Sequence, residues 1–486
     1  MLKIFNTLSK KKEIFTPLNK DNVKIYLCGP TVYDLLHVGN FRGVIFFNLV
    51  RNWINHSGYK STFILNFTDV DDKIIDRANS QKKSTIELTE HYISEYNKDL
   101  KTLELSPHDA NPKCTHHITD MIKFIERLIE KEHAYHVEGS VFYSISSFPD
   151  YGKLSGKKIE DLNQGHRIDP DPRKHHPLDF VLWKPTKENE PSWESPWGNG
   201  RPGWHIECSA MNHALHGDQI DIHGGGIDLI FPHHENEIAQ TESLTQKQFS
   251  TYWMHNNFIR FGDEKMSKSL GNVIKTRDYI TKYDPEILKY LILSVHYRSE
   301  LNMDSNQTKQ TITRLARIYT ALKQAKDILN PQLTTPSENF KELINTSQEI
   351  ITTALNDDFN TPIVFAAIFE CVRQFNTELA TKKKKDPTLK ANATLFYNLV
   401  YETGKLMSLF QQDPIKLLKR LDVILIKENN IDVTNIETLI NKRNKARENK
   451  DYKSSDDIRD KLAELNILIQ DSPEGTIWEI NKSKLN

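Results

Sequence analysis

The 486-residue sequence predicts an α/β protein, in which a Rossmann-like domain with a parallel sheet carries an insertion and is followed by helical domains. Three observations support this prediction. Strand, helix and strand patterns follow one another over about the first 70 residues, prolines accumulate between about residues 110 and 200, and helical periodicity dominates beyond about residue 280. A chain of this length is expected to hold roughly two to four domains, each with its own core.

The N-terminal segment predicts a parallel βαβ unit. Residues 23–28 are a short apolar run that ends in a Gly-Pro turn, residues 43–53 have the apolar pattern of a helix, and residues 62–67 are a second strand candidate. Ligands bind at the carboxyl ends of the strands in such sheets. We therefore expect Cys28 and Thr68, which follow the two strands, to face a binding site.

Residues 111–200 predict an insertion within the first fold, partly extended, because they contain many prolines, several tryptophans and few long periodic runs. The sheet pattern resumes at residues 221–223, which run into three glycines, and Pro232 opens a helix. The Rossmann-like domain is therefore expected to consist of residues 1–110 and 201–260.

The second half of the chain predicts helices. They are expected at residues 279–295, 311–329, 340–355 and 363–377, with a lysine-rich loop at 382–387. A helix-rich segment at 436–465 then precedes two short apolar stretches at 467–469 and 475–478. We expect a region around a lysine-containing loop at 261–305, a helical bundle at 306–425 and a small C-terminal domain at 426–486.

Composition and charge narrow the classes of protein. Charged residues make up 27% of the chain and the net charge is −1, so nucleic acid could be bound only through local basic clusters such as residues 442–453. No stretch approaches the ~20 apolar residues of a membrane span, and the N-terminus lacks the apolar core of a signal peptide. Four cysteines without an export signal predict reduced thiols in a cytoplasmic protein.

Two of the four cysteines stand in stretches that suit metal binding. Cys28 ends the first predicted strand, and Cys208 precedes a stretch that contains His233, His234 and Glu237. Thiolate and imidazole are zinc ligands, and His233 shares a helix face with Glu237 at i,i+4. His234 with Glu237 at i,i+3 is also allowed, and the alternative without a metal is a His–Glu surface pair beside two buried thiols.

Two short motifs suit phosphate chemistry. His37-Val38-Gly39-Asn40 stands at a predicted helix start, where glycine permits close approach of the backbone and the polar side chains supply donors. Lys265-Met266-Ser267-Lys268-Ser269 places two ammonium groups on a predicted loop, where they could neutralise charge on a leaving pyrophosphate. Each motif alone is weak evidence, because a K-x-x-K loop is more often plain surface.

Together the two motifs resemble the paired signature of class I aminoacyl-tRNA synthetases, and longer stretches resemble cysteinyl-tRNA synthetase. These stretches are residues 28–34, 67–74, 200–212, 221–226, 231–237 and 265–272, and the likeness extends over effectively the whole chain. The resemblance implies a ligase that activates L-cysteine with ATP to cysteinyl-adenylate and transfers it to the 3′ end of cysteine tRNA. It implies one Zn²⁺ on Cys28, Cys208, His233 and Glu237, and Mg²⁺ that accompanies ATP.

The resemblance also implies roles in adenylation. His37 and Asn40 would stabilise the phosphates of ATP, with Gly39 at the same nucleotide loop, and Lys265 and Lys268 would clamp the leaving pyrophosphate. The family pattern usually has histidine at the position of Asn40. Asparagine keeps an NH₂ donor but carries no proton or positive charge, and we expect activity to persist because adenylation relies on charge stabilisation more than on proton transfer.

Substrate contacts follow from the same resemblance. Thr68 and Trp204 are expected to bind the amino acid, and Asp228 to contact adenosine, whereas core packing of Trp204 and helix capping by Asp228 are the structural alternatives. The substrate thiolate is expected to join the zinc coordination, with Glu237 the weakest ligand. Because a soft metal distinguishes sulfur from oxygen, no editing domain is expected.

The C-terminal half resembles the helical, anticodon-side part of the family, so residues 261–305 would be the signature-loop and stem-contact region and residues 426–486 the anticodon-recognition domain. Cysteine tRNA, ATP and L-cysteine are the expected partners of a monomer that binds no membrane. One alternative is a cysteine ligase for a small amino-sugar acceptor, which would need no anticodon reader. Another is a zinc-containing RNA-binding protein without catalysis, which the His37 and Lys265 motifs disfavour.

Overall fold

The computed structural model of the chain describes residues 1–158, 171–262, 264–265, 273–332, 335–472 and 475–482. The strands are β1 Lys3–Asn6, β2 Lys11–Ile14, β3 Val23–Leu27, β4 Ser61–Leu65, β5 Ala134–Val137, β6 Ser140–Tyr143, β7 Phe180–Pro185, β8 Gly200–Pro202, β9 Ile220–Gly226, β10 Ser250–Asn256, β11 Ile259–Phe261, β12 Glu264–Lys265, β13 Leu301–Asn302, β14 Ile467–Ser472 and β15 Gly475–Ile480. The α-helices are α1 Val38–His56, α2 Asp72–Gln81, α3 Thr85–Thr102, α4 Ile118–Glu130, α5 Trp204–His216, α6 Glu235–Thr245, α7 Thr276–Lys282, α8 Pro285–Leu293, α9 Ser305–Ile328, α10 Glu338–Asn356, α11 Thr361–Thr381, α12 Pro387–Met407, α13 Pro414–Glu428, α14 Val433–Glu448 and α15 Tyr452–Glu464. Within these ranges, no helix combines the length and the apolar character needed to cross a membrane.

A four-stranded parallel sheet positions the functional residues, with its strands in the order β10-β9-β3-β4. Leu27 pairs with Leu65 on one side and with Gly224 on the other, so the carboxyl ends of β3, β4 and β9 meet at one edge. Helix α1 packs against β4 and β9 through apolar residues such as Phe47, which is fully buried and lies against Phe63 of β4 and Gly224 of β9. The predicted α/β class with a parallel sheet is confirmed.

The first helix begins earlier than its apolar pattern predicts. The pattern indicates a helix over residues 43–53, whereas α1 spans Val38–His56. Its first turn contains Gly39 and Asn40, which add no apolar periodicity. The Asn40 side chain instead accepts a hydrogen bond from the backbone N–H of His37 at 3.2 Å. A contact of this kind favours the start of a helix at this point.

The stretch predicted as an insertion contains an antiparallel sheet in the order β5-β6-β7-β8. Its strands account for the extended character that the sequence predicts. Helix α4 also lies in this stretch, although its surroundings show few periodic runs. Met121, Phe124, Ile125 and Leu128 recur there at helical spacing and are buried in the same cluster as β6 and β7.

Beyond β13, the described part of the chain is helical up to the C-terminal hairpin. Helix α9 packs against α12 and α13, and α14 and α15 pack against each other beside the antiparallel pair β14-β15. The predicted lysine-rich loop separates α11, which ends at Thr381, from α12, which starts at Pro387. Asp304 caps α9 by accepting the N–H of Gln307, which explains why this helix starts before its predicted limit at residue 311.

Candidate active site

The candidate site lies at the carboxyl edge of the parallel sheet. Cys28 directly follows β3, and its backbone N–H donates to the carbonyl oxygen of Gly224 at 3.1 Å. A side chain on Gly29 would place its Cβ 1.6 Å from the carbonyl oxygen of Asn66, so glycine is required for the chain to pass here. Thr68 follows β4 at the same edge. The sheet thus brings Cys28 and Thr68 to one side, where ligands bind in such folds.

Four side chains converge at this edge: Cys28, Cys208, His233 and Glu237. Their potential ligand atoms all lie within 4.8 Å of one another. The two sulfur atoms are 3.5 Å apart, and Glu237 Oε1 lies 3.3 Å from Cys28 Sγ and 3.1 Å from His233 Nε2. Two thiols, one imidazole and one carboxylate form a donor set that fits zinc.

The imidazolium of His233 offsets part of the negative charge in this cluster. A hydrogen bond from the Cys28 thiol, against the effect of burial, lowers the pKa of Cys208 to about 6. Burial opposes the charge of His233, but Glu237 and Cys208 together outweigh it and raise the pKa of this imidazole to about 10. Despite its own burial, Glu237 has a pKa held well below its usual range by His223 and His233. A divalent cation would displace the imidazolium proton and the thiol proton of Cys28, and it would offset the negative charge of the three anionic ligands.

A second set of ligands overlaps the first and consists of Cys28, His223, His234 and Glu237. In this set, His234 Nε2 lies 3.9 Å from Glu237 Oε1, and its Nδ1 is 2.8 Å from His255 Nε2. His223 Nε2 lies 2.8 Å from Glu237 Oε2, the oxygen that does not face His233. The structure therefore brings both histidines of the predicted helix near Glu237, but His233 is the one grouped with both thiols.

Three histidines outside the predicted ligand set surround it: His205, His223 and His255. The Nδ1 atoms of His205 and His233 are 3.0 Å apart, while Nε2 of His233 faces Glu237. Partners of this kind fix the ring orientation of a metal-binding histidine. His223 and His255 are buried within β9 and β10, where a polar side chain needs a partner, but these strands also hold other polar residues, so no sequence pattern singles out the histidines.

A cavity of about 1450 Å³ opens beside the cluster, between the insertion and the start of α5. Trp204 lines it, stacks on His233 with ring centroids 4.3 Å apart, and is 41% exposed, so core packing does not account for this residue. Thr68 is buried, and its hydroxyl donates to Glu207 Oε2 at 2.9 Å. Glu207 also lines the cavity and accepts from the thiol of Cys114 at 2.9 Å, a contact that the sequence motifs do not reveal.

The first nucleotide motif lies at the start of α1. His37 is the N-cap residue, and Asn40 uses its side-chain oxygen to accept the His37 backbone N–H, so the NH₂ of Asn40 is the part that can donate to a phosphate. Asp228 lies just beyond β9, exposed and inside the short turn Ile227–Leu229, where it does not occupy a helix cap. Both positions are at the carboxyl edge of the sheet.

The second nucleotide motif is described in part. Lys265 ends strand β12, and its backbone pairs with Arg260 of β11. Strand β11 also pairs in parallel with β13, which gives a three-stranded sheet in the order β12-β11-β13. Lys268 and the rest of residues 266–272 lie outside the described residues.

Comparison with known proteins gives the class to which this fold and site belong. A family model described as the catalytic domain of class I (C) tRNA synthetases matches residues 14–353. A methionyl-tRNA synthetase from Mycobacterium tuberculosis, solved with methionyl-adenylate, superposes with a TM-score of 0.60 at 14% identity, over 82% of this chain and 95% of that one. The domain that contains the parallel sheet is therefore the catalytic domain of a class I aminoacyl-tRNA synthetase.

The remaining matches define the family. A DALR domain model matches residues 351–411, and a model of the cysteinyl-tRNA ligase anticodon binding domain matches residues 434–478. A cysteine–tRNA ligase of Bdellovibrio bacteriovorus is 50% identical over 482 residues, which cover 99% of this chain and 100% of the relative. A second one, from Thermodesulfovibrio yellowstonii, is 42% identical over 99% of both chains. The chain belongs to the cysteine–tRNA ligase family.

Proposed function

We propose that this protein ligates L-cysteine to cysteine tRNA, with ATP as the energy source and a zinc ion that recognises the substrate thiol. The observation that carries the proposal is the convergence of Cys28, Cys208, His233 and Glu237 beside a cavity lined by Trp204. Membership of the cysteine–tRNA ligase family supports the ligation of cysteine to tRNA. The two thiols, imidazole and carboxylate support the proposal that zinc is bound.

The metal proposal concerns how cysteine is distinguished from serine. The two amino acids differ by sulfur in place of oxygen, and an apolar pocket separates such similar side chains poorly. When bound, zinc would supply a soft Lewis acid that prefers a thiolate to a hydroxyl. Cys28, Cys208, His233 and Glu237 would hold it, and His223 and His205 would keep Glu237 and His233 in orientation through the contacts at 2.8 and 3.0 Å.

Adenylation needs no covalent enzyme nucleophile, because the carboxylate of cysteine attacks the α-phosphate of ATP directly. His37 and Asn40 would donate to the phosphates from the start of α1, where the helix dipole also favours negative charge. Lys265 and Lys268 would neutralise the pyrophosphate as it leaves. Mg²⁺ would arrive with ATP on the phosphate oxygens.

The amino-acid and adenosine contacts complete the proposal. Trp204 would pack against bound cysteine, since its ring is exposed in the cavity and stacked on a zinc ligand. Thr68 would bond the ammonium or carboxylate of cysteine and is oriented by Glu207. Asp228, exposed at the end of β9, would contact adenosine.

The tRNA is the proposed macromolecular partner. The anticodon binding model covers helices α14 and α15 and most of the β14-β15 hairpin. In this segment Arg443 bonds Asp471 through both of its terminal nitrogens, at 2.7 and 2.9 Å, and so ties α14 to the hairpin. We further propose a cytoplasmic monomer. The alternative of a small amino-sugar acceptor has no support, because an anticodon binding domain would be superfluous in such an enzyme.

Pyrophosphate exchange tests the proposal. Wild-type protein loaded with zinc is expected to exchange pyrophosphate into ATP with cysteine and not with serine, and to charge a tRNA with a cysteine anticodon. Removal of zinc is expected to abolish the preference for cysteine. A preference that persists without zinc would contradict the metal proposal, and exchange without charging of tRNA would contradict the proposed acceptor.

A further inference from the structure

Arg42 links the two nucleotide motifs inside the protein. It lies on α1, just after His37 and Asn40, and it is 1% exposed. Its guanidinium donates to four backbone carbonyl oxygens, which belong to Asn257, Phe258, Tyr297 and Ser299. The distances are 2.8 Å to Asn257 and 3.3 Å to Tyr297. Among the described residues, no carboxylate forms an ion pair with it, so this cation binds backbone alone.

The four carbonyl groups belong to residues that precede two paired strands. Residues 257–258 lead into β11, residues 297–299 lead into β13, and β11 and β13 pair with each other. Strand β11 in turn pairs with β12, where Arg260 is the partner of Lys265. The guanidinium therefore binds the residues that precede β11 and β13, two strands of the three-stranded sheet that contains the backbone of Lys265.

The other side of the lysine motif is attached to the same end of α1. The backbone N–H of Val38 donates to the carbonyl oxygen of Ile274 at 3.0 Å, and His37 forms a β-bridge with Lys275. Both ends of the segment that contains the lysine motif are thus anchored within the first turns of α1. The described residues on either side of that segment are therefore held at fixed positions relative to the start of α1.

The charge of Arg42 is kept inside the protein against the effect of burial. Burial lowers the pKa of Arg42 to about 10, so the environment opposes its charge. An apolar residue at this position would leave the four carbonyl oxygens without their donor inside the protein, which costs stability. What an apolar residue cannot do is donate to four carbonyl oxygens from one planar group, which sets the distance between the two segments.

We propose that Arg42 is a positioning residue for adenylation: it fixes β11 and β13, and with them the backbone of Lys265 in β12, relative to His37 and Asn40 at the start of α1. The inference rests on the proposed function, since it assigns Lys265 to that step. Lysine at position 42 would keep the charge but lose the planar fork, and the base of the sheet would shift.

Kinetics of Arg42→Lys test this role. The kcat of cysteine-dependent pyrophosphate exchange is expected to fall about 10- to 100-fold, because a misplacement of about 1 Å costs up to about 10²-fold. The KM for cysteine and the transfer of cysteinyl from supplied cysteinyl-adenylate to tRNA are expected to change by less than about threefold. Arg51→Met is the matched control, since Arg51 lies on the same helix and bonds the carbonyl of Pro107, away from β11. Its kcat is expected to stay within about threefold of wild type.

A double-mutant cycle separates positioning from general loosening of the fold. In a Lys265→Ala background, Arg42→Lys is expected to cost less than about threefold, because its effect acts through Lys265. Fully additive losses, or an equal loss in transfer from supplied adenylate, would overturn the proposal.

Amide hydrogen exchange gives a readout that does not depend on activity. The N–H of Leu301 donates to Phe258 and that of Met303 to Arg260, at 3.1 and 3.0 Å. Both are expected to lose protection in Arg42→Lys and to keep it in Arg51→Met. Unchanged protection in Arg42→Lys would overturn the proposal. Absence of pyrophosphate exchange in the wild type would instead overturn the proposed function, and the amide data would still decide whether Arg42 orders this sheet.

Discussion

Replacement of His223 with asparagine tests which of the two overlapping ligand sets holds the metal. In the set with both thiols, His223 is not a metal ligand. It is instead a hydrogen-bond partner of Glu237, with its Nε2 2.8 Å from Oε2 of that carboxylate. In the other set, His223 is itself a ligand and Cys208 is not. The two arrangements predict different losses of zinc affinity.

The expected loss follows from these contacts. As a partner of a ligand, His223 would contribute about 10- to 100-fold in zinc affinity, or about 1.4 to 2.8 kcal/mol. As a ligand, its removal would cost far more, on the order of 10³-fold or beyond, because one of four donors disappears. We expect the smaller loss for His223→Asn and the larger one for His233→Asn and Cys208→Ser.

Equilibrium competition for zinc against a chromophoric chelator measures these affinities. His216→Asn is a control, since His216 is also a buried histidine, at the end of α5, with its pKa lowered to about 4 by burial and Lys24. It is expected to bind zinc as the wild type does. The reasoning would be refuted if His223→Asn abolished binding while His233→Asn or Cys208→Ser left it within about tenfold of wild type.

Further predictions concern the substrate, the nucleotide motif and acid stability. Thr68→Val removes the hydroxyl that donates to Glu207. The KM for cysteine in pyrophosphate exchange is expected to rise about tenfold, which corresponds to the loss of about one hydrogen bond, while the KM for ATP stays unchanged. An unchanged KM for cysteine would contradict the role of Thr68. Asn40→His is expected to change the adenylation rate by less than about tenfold in single-turnover assays, because both side chains can donate to phosphate; a rise of several orders of magnitude would show that asparagine is a defect. Burial and the charge of Arg51 lower the pKa of His108 to about 4, whereas histidine in the unfolded chain has a pKa of about 6.5. The stability that neutral His108 contributes is therefore present above pH 6.5 and is lost as the pH falls toward 4. Urea denaturation at pH 7 and pH 5 is expected to show that His108→Gln loses about 2 kcal/mol less unfolding free energy on acidification than the wild type, and equal losses would rule this out.

Several features of the site could be predicted because they are local. The strand that ends at Cys28 and the i,i+4 spacing of His233 and Glu237 each lie within a few residues of sequence. Period-2 and period-3.6 patterns describe such segments directly. The nucleotide motif at His37 was also recognisable, although the helix that it starts was predicted to begin too late, since capping by Asn40 carries no apolar signal.

Other features depend on contacts that no local pattern records. Cys28 and Cys208 are 180 residues apart in sequence and 3.5 Å apart in the fold. His223 reaches Glu237 from a neighbouring strand, so its role depends on the register between β9 and the helix that follows. Arg42 lies near the start of α1, where sequence alone does not show that four carbonyl oxygens surround it.

From its sequence alone, this chain could be placed in an α/β class with a parallel sheet, and its thiols, histidine and carboxylate could be proposed as zinc ligands. Those inferences rest on local periodicity, on the chemistry of side chains and on resemblance along the whole chain. The tertiary structure decided which of His233 and His234 is grouped with both sulfur atoms, and which residues orient that group. The physical reason is that burial and distance between remote segments depend on how strands and helices pack, and packing is a property of the folded chain as a whole.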